Sequence, residues 1–268
     1  MTATIQTPTA PSAQRTRPRA PIRFPRLVGV ELQKMFDTQA GFWLMTAIGL
    51  TSLVATASVI AFAPDEVIAY GVFAQAVGIP MSIVLPVIAI LSVTGEYSQR
   101  TALTTFALVP RRGRVIAAKA AAALIVGVAG MLVALGVGAL GNVVGAAITG
   151  VDTVWDISFL RFAYIVLANV LGMAIGFMLG VLIRSSPGAI VGYFVFSLVL
   201  PGIFGTLAVF QQWFADIQAW VDVNFAMTRL YDQTMTGEMW AQLGVTSVIW
   251  IFVPMAVGLW FVLRSEVK

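Results

Sequence analysis

GEYSQRTALTTFALVPRRGRVIAAK, residues Gly95–Lys119, is the stretch from which the fold is read. It carries five basic residues, Arg100, Arg111, Arg112, Arg114 and Lys119, and a single acid, Glu96, near its start. Long apolar runs flank it on both sides, Gly71–Val93 before and Ile116–Ile148 after. Basic residues gathered between two such runs mark a short loop retained on the non-translocated side of a membrane. In a chain built largely of Leu, Val, Ile, Ala and Gly, this is the largest handle outside the apolar segments, apart from the two ends.

The rest of the composition agrees. The chain is 59% apolar and 10% charged, with mean hydropathy +0.91, whereas soluble domains run at roughly 45–50% apolar and about 25% charged. Too few charges are present to cover a soluble globule of 268 residues. The absence of Cys excludes disulfides and thiolate metal sites, and the absence of His removes the commonest general base and metal ligand. The net charge of +4 and a pI near 9.8 are accounted for by where the charges sit, and call for no nucleic acid.

Six apolar segments, Phe42–Ala63, Gly71–Val93, Ile116–Ile148, Phe162–Ile183, Ala189–Phe210 and Leu243–Leu263, are each long enough to cross about 30 Å of hydrocarbon as a helix. Lys119 is the one charge within them. The third is too long for one upright crossing, so its first two turns, with Lys119, are expected to stand in the cytoplasm. The short junction Arg184–Gly188 makes the fourth and fifth helices antiparallel neighbours. With the N-terminus inside, 14 of the 16 Lys and Arg fall inside and eight of the 12 acids fall outside, as expected when basic loops stay cytoplasmic.

Residues 1–25 are rich in Thr, Pro, Ala and Arg and read as a disordered cytoplasmic tail, leaving 26–268 as one transmembrane domain. Arg26–Gln39 reads as an amphipathic helix on the membrane surface, with Val28, Leu32, Met35 and Phe36 forming its apolar stripe. Gln211–Ala241, outside and rich in aromatics, predicts one or two short helices on or dipping into the outer face before the sixth span. Pro80, Pro86 and Pro201 interrupt spans and predict kinks. Gly172, Gly176 and Gly180, spaced by four, predict a close helix–helix approach.

No catalytic constellation is present. Without a G-x-x-x-x-G-K-[ST] loop the chain is not expected to hydrolyse ATP, and without a carboxylate at mid-bilayer it offers no proton relay. The polar residues inside spans are mild, namely Gln75, Asn142, Asn169 and Tyr193, and these are the candidate lining of a substrate path. An energy source outside the chain follows.

The order of these parts, with Glu96-Tyr97, Thr101 and Pro110-Arg111-Arg112 followed by Arg114 and Lys119, resembles the permease subunit of ABC-2 type transporters. Family members often have Gly before the Thr, where this chain has Arg100. The resemblance implies an all-α membrane protein: six transmembrane helices, an N-terminal interfacial helix, a cytoplasmic coupling helix between helices 2 and 3, and external short helices before helix 6. It implies that Glu96, Tyr97, Arg100, Thr101, Arg111, Arg112 and Arg114 couple to a separate ABC ATPase subunit, which would hold ATP and Mg, this chain holding no cofactor. It further implies a second permease chain, identical or homologous, in a bacterial cell membrane. The cargo would be amphipathic: a drug, lipid, peptide or polymer intermediate. An ATP-independent carrier and a non-transporting anchor or assembly subunit are the alternatives. In the short segment Gln99–Leu108 a helix is expected, ended by Pro110.

Overall fold

Inside hydrocarbon a helix satisfies its backbone polar groups internally, and every long apolar run of this chain folds as one. The computed structural model describes residues 22–98, 112–232 and 234–264, and no strand occurs among them. In order the helices are α1 (Phe24–Asp37), α2 (Gln39–Phe62), α3 (Tyr70–Ser98), α4 (Arg112–Thr149), α5 (Phe159–Ile183), α6 (Ser186–Phe210), α7 (Gln212–Val221), α8 (Val223–Asp232) and α9 (Gly237–Arg264). Six of them, α2 to α6 and α9, are long and apolar enough to span a membrane.

Several boundaries differ from the sequence expectation. α1 begins at Phe24, two residues earlier than expected, with Pro25 in its first turn, where a missing N–H costs nothing. It ends at Asp37 because Thr38 turns extended (φ −91°, ψ 145°) and its hydroxyl accepts from Gly41 N at 3.1 Å, capping α2. α1 is therefore a separate helix and not a straight extension of α2. Its inner face holds Leu27 and Glu31, with Leu32 and Met35 packed on the main core, while Phe36 is exposed. α9 begins at Gly237, ahead of the expected Leu243, because Thr236 caps it by accepting from Met239 N. Trp240 thus belongs to the last helix. α4 runs unbroken for 38 residues, about 57 Å at 1.5 Å per residue.

α5 is the central helix: 67% of its spanning window is buried, against 11% for α6. Its small residues meet α3, as the spacing predicts. A Cβ added at Gly176 would lie 2.5 Å from the Pro86 carbonyl oxygen, and one at Gly180 would lie 3.2 Å from that of Ile90. At Gly176 only glycine admits this approach, and at Gly180 a methyl group would press on the Ile90 carbonyl. Pro86 also lacks the N–H that Ser82, four residues earlier, would accept from. The buried Tyr193 of α6 fills the gap, its hydroxyl donating to Ser82 O at 2.7 Å.

At the end away from α1, the α4–α5 connection is laced over the start of α3. Val154 O accepts from Tyr70 N at 3.1 Å and from Asn142 Nδ2 at 2.9 Å, and Asp156 Oδ1 accepts from Gly71 N at 2.6 Å. The segment between α6 and α9 forms two short helices, as expected. Asp222 separates them and caps α8, accepting from Asn224 N and Phe225 N. Both flanking spans carry a π turn directly before a proline: Val195–Val199 before Pro201 and Val248–Phe252 before Pro254. Each turn is joined to the short helices, Asn224 Nδ2 donating to Phe196 O at 3.2 Å and Trp250 Nε1 to Val221 O at 2.6 Å. A widened turn leaves carbonyls poorly paired within its own helix, and the Asn224 amide takes up one of them.

Candidate coupling site at the roots of the basic loop

The basic stretch leaves the bundle at the end of α3 and returns at the start of α4. Arg100, Thr101 and Arg111, with the expected helix Gln99–Leu108, lie outside the described residues. The roots on either side are described, and they are stitched to the bundle rather than displayed on it.

Four charges form a closed ring there. Glu31 of α1 meets Lys34 at 2.8 Å and Lys119 of α4 at 2.7 Å; Glu96 of α3 meets the same two lysines at 2.8 and 3.0 Å. Lys119 also donates to Ser92 O at 3.2 Å, which gives each of its three ammonium protons a partner. Its side chain is 6% exposed, and those of Glu31 and Glu96 are 10% and 11% exposed. Lys34 is the wet member at 42%. Burial alone would lower the Lys34 pKa, but hydrogen bonds and Coulomb attraction from Glu31 and Glu96 outweigh it and raise the pKa above the ordinary lysine value. The ring sums to zero charge, the condition under which buried charges are tolerated.

The other roots follow the same pattern. Tyr97 is half-buried against the main core. Arg112 Nη1 donates to Val262 O at 3.1 Å, pairing a carbonyl in the last turn of α9. Arg114 Nη2 donates to Ile22 O at 2.8 Å, just ahead of α1. On the adjoining turn, Thr94 and Ser186 share a hydroxyl–hydroxyl bond of 2.8 Å between α3 and α6. The roots of the basic stretch are thus tied to α9 through Arg112 and to α1 through the ring.

The four polar residues read as a path are not brought together. Gln75 is exposed on α3. Asn142 holds Val154 O, Asn169 donates to Ile165 O at 3.0 Å and to the Tyr231 hydroxyl at 3.4 Å, and Tyr193 holds Ser82 O. Tyr231, at the end of α8, has its pKa pushed up to about 12 by burial, so it stays protonated as a hydrogen-bonding partner.

Glu31 is the site residue that sequence reasoning passed over. It falls within the apolar arc of α1, four residues after Leu27, and Lys119 is the one charge in an apolar span. An acid on a greasy face and a lysine in a greasy helix are two misfits that cancel.

Compared with known families, residues 20–267 match the ABC-2 family transporter protein family. The chain belongs to the ABC-2 transporter family. None of the curated proteins compared matches it. This ABC-2 membrane domain is a multi-pass membrane protein, and its family is a membrane transport component whose companion is, in general, an ABC ATPase.

Proposed function

We propose that this ABC-2 domain is the permease subunit of an ATP-driven exporter, working with a separate ATPase that grips the basic loop 99–111. The observation that carries this reading is the rooting of that loop. Both its ends are fastened by buried or half-buried polar contacts, to α1 and α4 through Glu96 and to α9 through Arg112. A loop that only anchored topology needs its positive charge, not stiff attachment to several helices at once. A loop that receives work from outside needs both.

The face bearing α1, the loop and the C-terminal end of α9 is the cytoplasmic one, and α7–α8 lie on the outer face of a bacterial cell membrane. Two such chains, identical or homologous, pair around a path for an amphipathic cargo: a drug, a lipid, a peptide or a polymer intermediate. ATP and Mg are held by the ATPase and none by this chain; nucleic acid has no part. Arg100, Thr101 and Arg111 contact the ATPase directly, while Glu96, Tyr97, Arg112 and Arg114 hold the loop to the bundle.

The test is capture of the wild-type chain from its own membranes in mild detergent. The expected result is a co-purifying subunit with a phosphate-binding loop, ATP hydrolysis by the complex, and none by the stripped permease. Hydrolysis by the chain alone, or capture without any ATPase, overturns the reading.

A further inference from the structure

The ring of Glu31, Lys34, Glu96 and Lys119 contains one element that does not adjoin the loop along the chain, α1. Residues 99–111 are covalently continuous with α3 and α4, so their movement needs no device to reach those helices. α1 precedes α2 and is broken from it at Thr38. Two of its side chains, Glu31 and Lys34, connect it to the loop roots, with the apolar contacts of Leu27, Leu32 and Met35 beside them and Arg114 holding Ile22 O just ahead of its start. Of the two, Glu31 is buried and reaches Lys119 at 2.7 Å, with its other oxygen on Lys34 at 2.8 Å. It fixes the ammonium of Lys119, which in turn holds Glu96 at the last turns of α3 and Ser92 O one turn earlier.

We propose that Glu31 is a positioning residue that makes α1 travel with the roots of the basic loop, so that α1, α3 and α4 respond to the ATPase as one body. A buried ion pair is seldom the most stable filling for a core position; hydrophobic replacements of like volume often match or exceed it. What the pair does supply is direction. Apolar packing lets α1 slide along α4, whereas Glu31 and Lys119 meet in one register only. The proposal rests on the exporter reading for the source of the movement, and on the geometry alone for the attachment.

The experiment uses pairs of spin labels, for which a chain without cysteine is ready-made. Val30 on α1 and Ala117 on α4 are both exposed, and cysteines there report the α1–α4 distance in the permease alone, in lipid. The wild type is expected to give one narrow distribution. E31Q leaves a buried positive charge in excess and should broaden it. E31Q with K119M leaves the Glu96–Lys34 pair and no unpaired charge, so it should fold as well as wild type and still broaden. A distribution as narrow as wild type in the double variant overturns the attachment.

A second pair, Val30 and Leu263, is read in the captured complex with and without ATP and vanadate. The distance should shift on trapping in the wild type, and in the double variant the shifted fraction should fall by about threefold to tenfold; residues that touch neither ligand change coupling by this much. An unchanged shift in the double variant overturns α1 as part of the moving body. If no ATPase is captured with the wild type, the exporter reading fails, while the first pair still decides whether Glu31 holds α1.

Discussion

Lys119→Met is the perturbation that weighs the ring. The substitution keeps most of the side-chain volume and removes one charge, leaving two carboxylates to share Lys34. Lys119 is 6% exposed and lies 2.7 and 3.0 Å from the two acids. Removing one partner of a buried pair typically costs about 3–5 kcal/mol, because the remaining charge is stranded. Lys34 still touches both acids, so the low end applies, about 3 kcal/mol. Lys34→Met also leaves a net charge of minus one, but Lys34 is 42% exposed and water already screens it; exposed pairs contribute about 1 kcal/mol or less. The two variants should therefore differ by about 2 kcal/mol although each deletes one lysine from the same ring. Equilibrium unfolding in mixed mild-detergent and dodecyl sulfate micelles, followed by the fluorescence of the seven tryptophans, reads the difference. Lys119→Met combined with Glu96→Gln leaves the neutral pair Glu31–Lys34 and should recover at least half of the loss. Equal effects of the two single substitutions, or no recovery in the double one, would show that burial does not set the strength of this ring.

Tyr193→Phe strands the Ser82 carbonyl that Pro86 leaves without a backbone donor, and should cost about 1–3 kcal/mol; in a Pro86→Ala background the same unfolding assay should show most of that cost gone. Gly176→Ala drives a methyl group against the Pro86 carbonyl and should destabilise by about 1–3 kcal/mol, whereas Gly136→Ala, with open space around it, should not. Asn224→Ala and Trp250→Phe each release one end of the short helices α7 and α8 from a π turn, and hydrogen–deuterium exchange should rise across 212–232 in both, with the α1 end unchanged. Because the folded-state pKa of Lys34 is raised, its contribution is complete below the unfolded lysine pKa and is lost only as pH climbs through the raised value. Stability at pH 7 and at pH 9 should then differ no more in wild type than in Lys34→Met.

The spans were legible because hydrocarbon imposes one rule, internal pairing of the backbone, and the sequence obeys it in six long runs. The Gly172, Gly176 and Gly180 approach was legible for a similar reason: spacing by four puts small residues on one face whatever the partner helix is. Helix ends were less so. α9 begins at a Thr236 cap within Gln211–Ala241, the stretch read as short helices ahead of the sixth span, since capping depends on one hydroxyl and not on an average. The π turns before Pro201 and Pro254 left no mark in composition. A proline says that one donor is missing, and only packing decides whether the helix answers with a kink, a wider turn or a side chain from elsewhere. Two of these answers occur here: a wider turn before Pro201 and again before Pro254, and a side chain from elsewhere, Tyr193, at Pro86.

The charged residues carry a more general point. Counted by side, the arginines and lysines give topology, and that count needs no structure. Counted by contact, several of them do something else: Arg112 pairs a carbonyl of α9, Arg114 holds Ile22, and Lys119 is enclosed between two acids. Both descriptions hold because they answer to different physics. Topology follows the number of positive charges near a span, which any of the five basic residues from Arg100 to Lys119 can supply. Attachment follows the one geometry in which a carboxylate from α1 and another from α3 meet the same ammonium. Moving Lys119 one position along α4 would keep the count and turn the ammonium by about 100°, away from both acids. A Lys119→Ala chain with lysine restored at Ala120 should therefore keep its orientation, read by thiol labelling of single cysteines at Ser12 and Gln218. It should lose the fixed α1–α4 distance. If that distance survives the shift, charge near the loop is sufficient and the register of the ring carries no information.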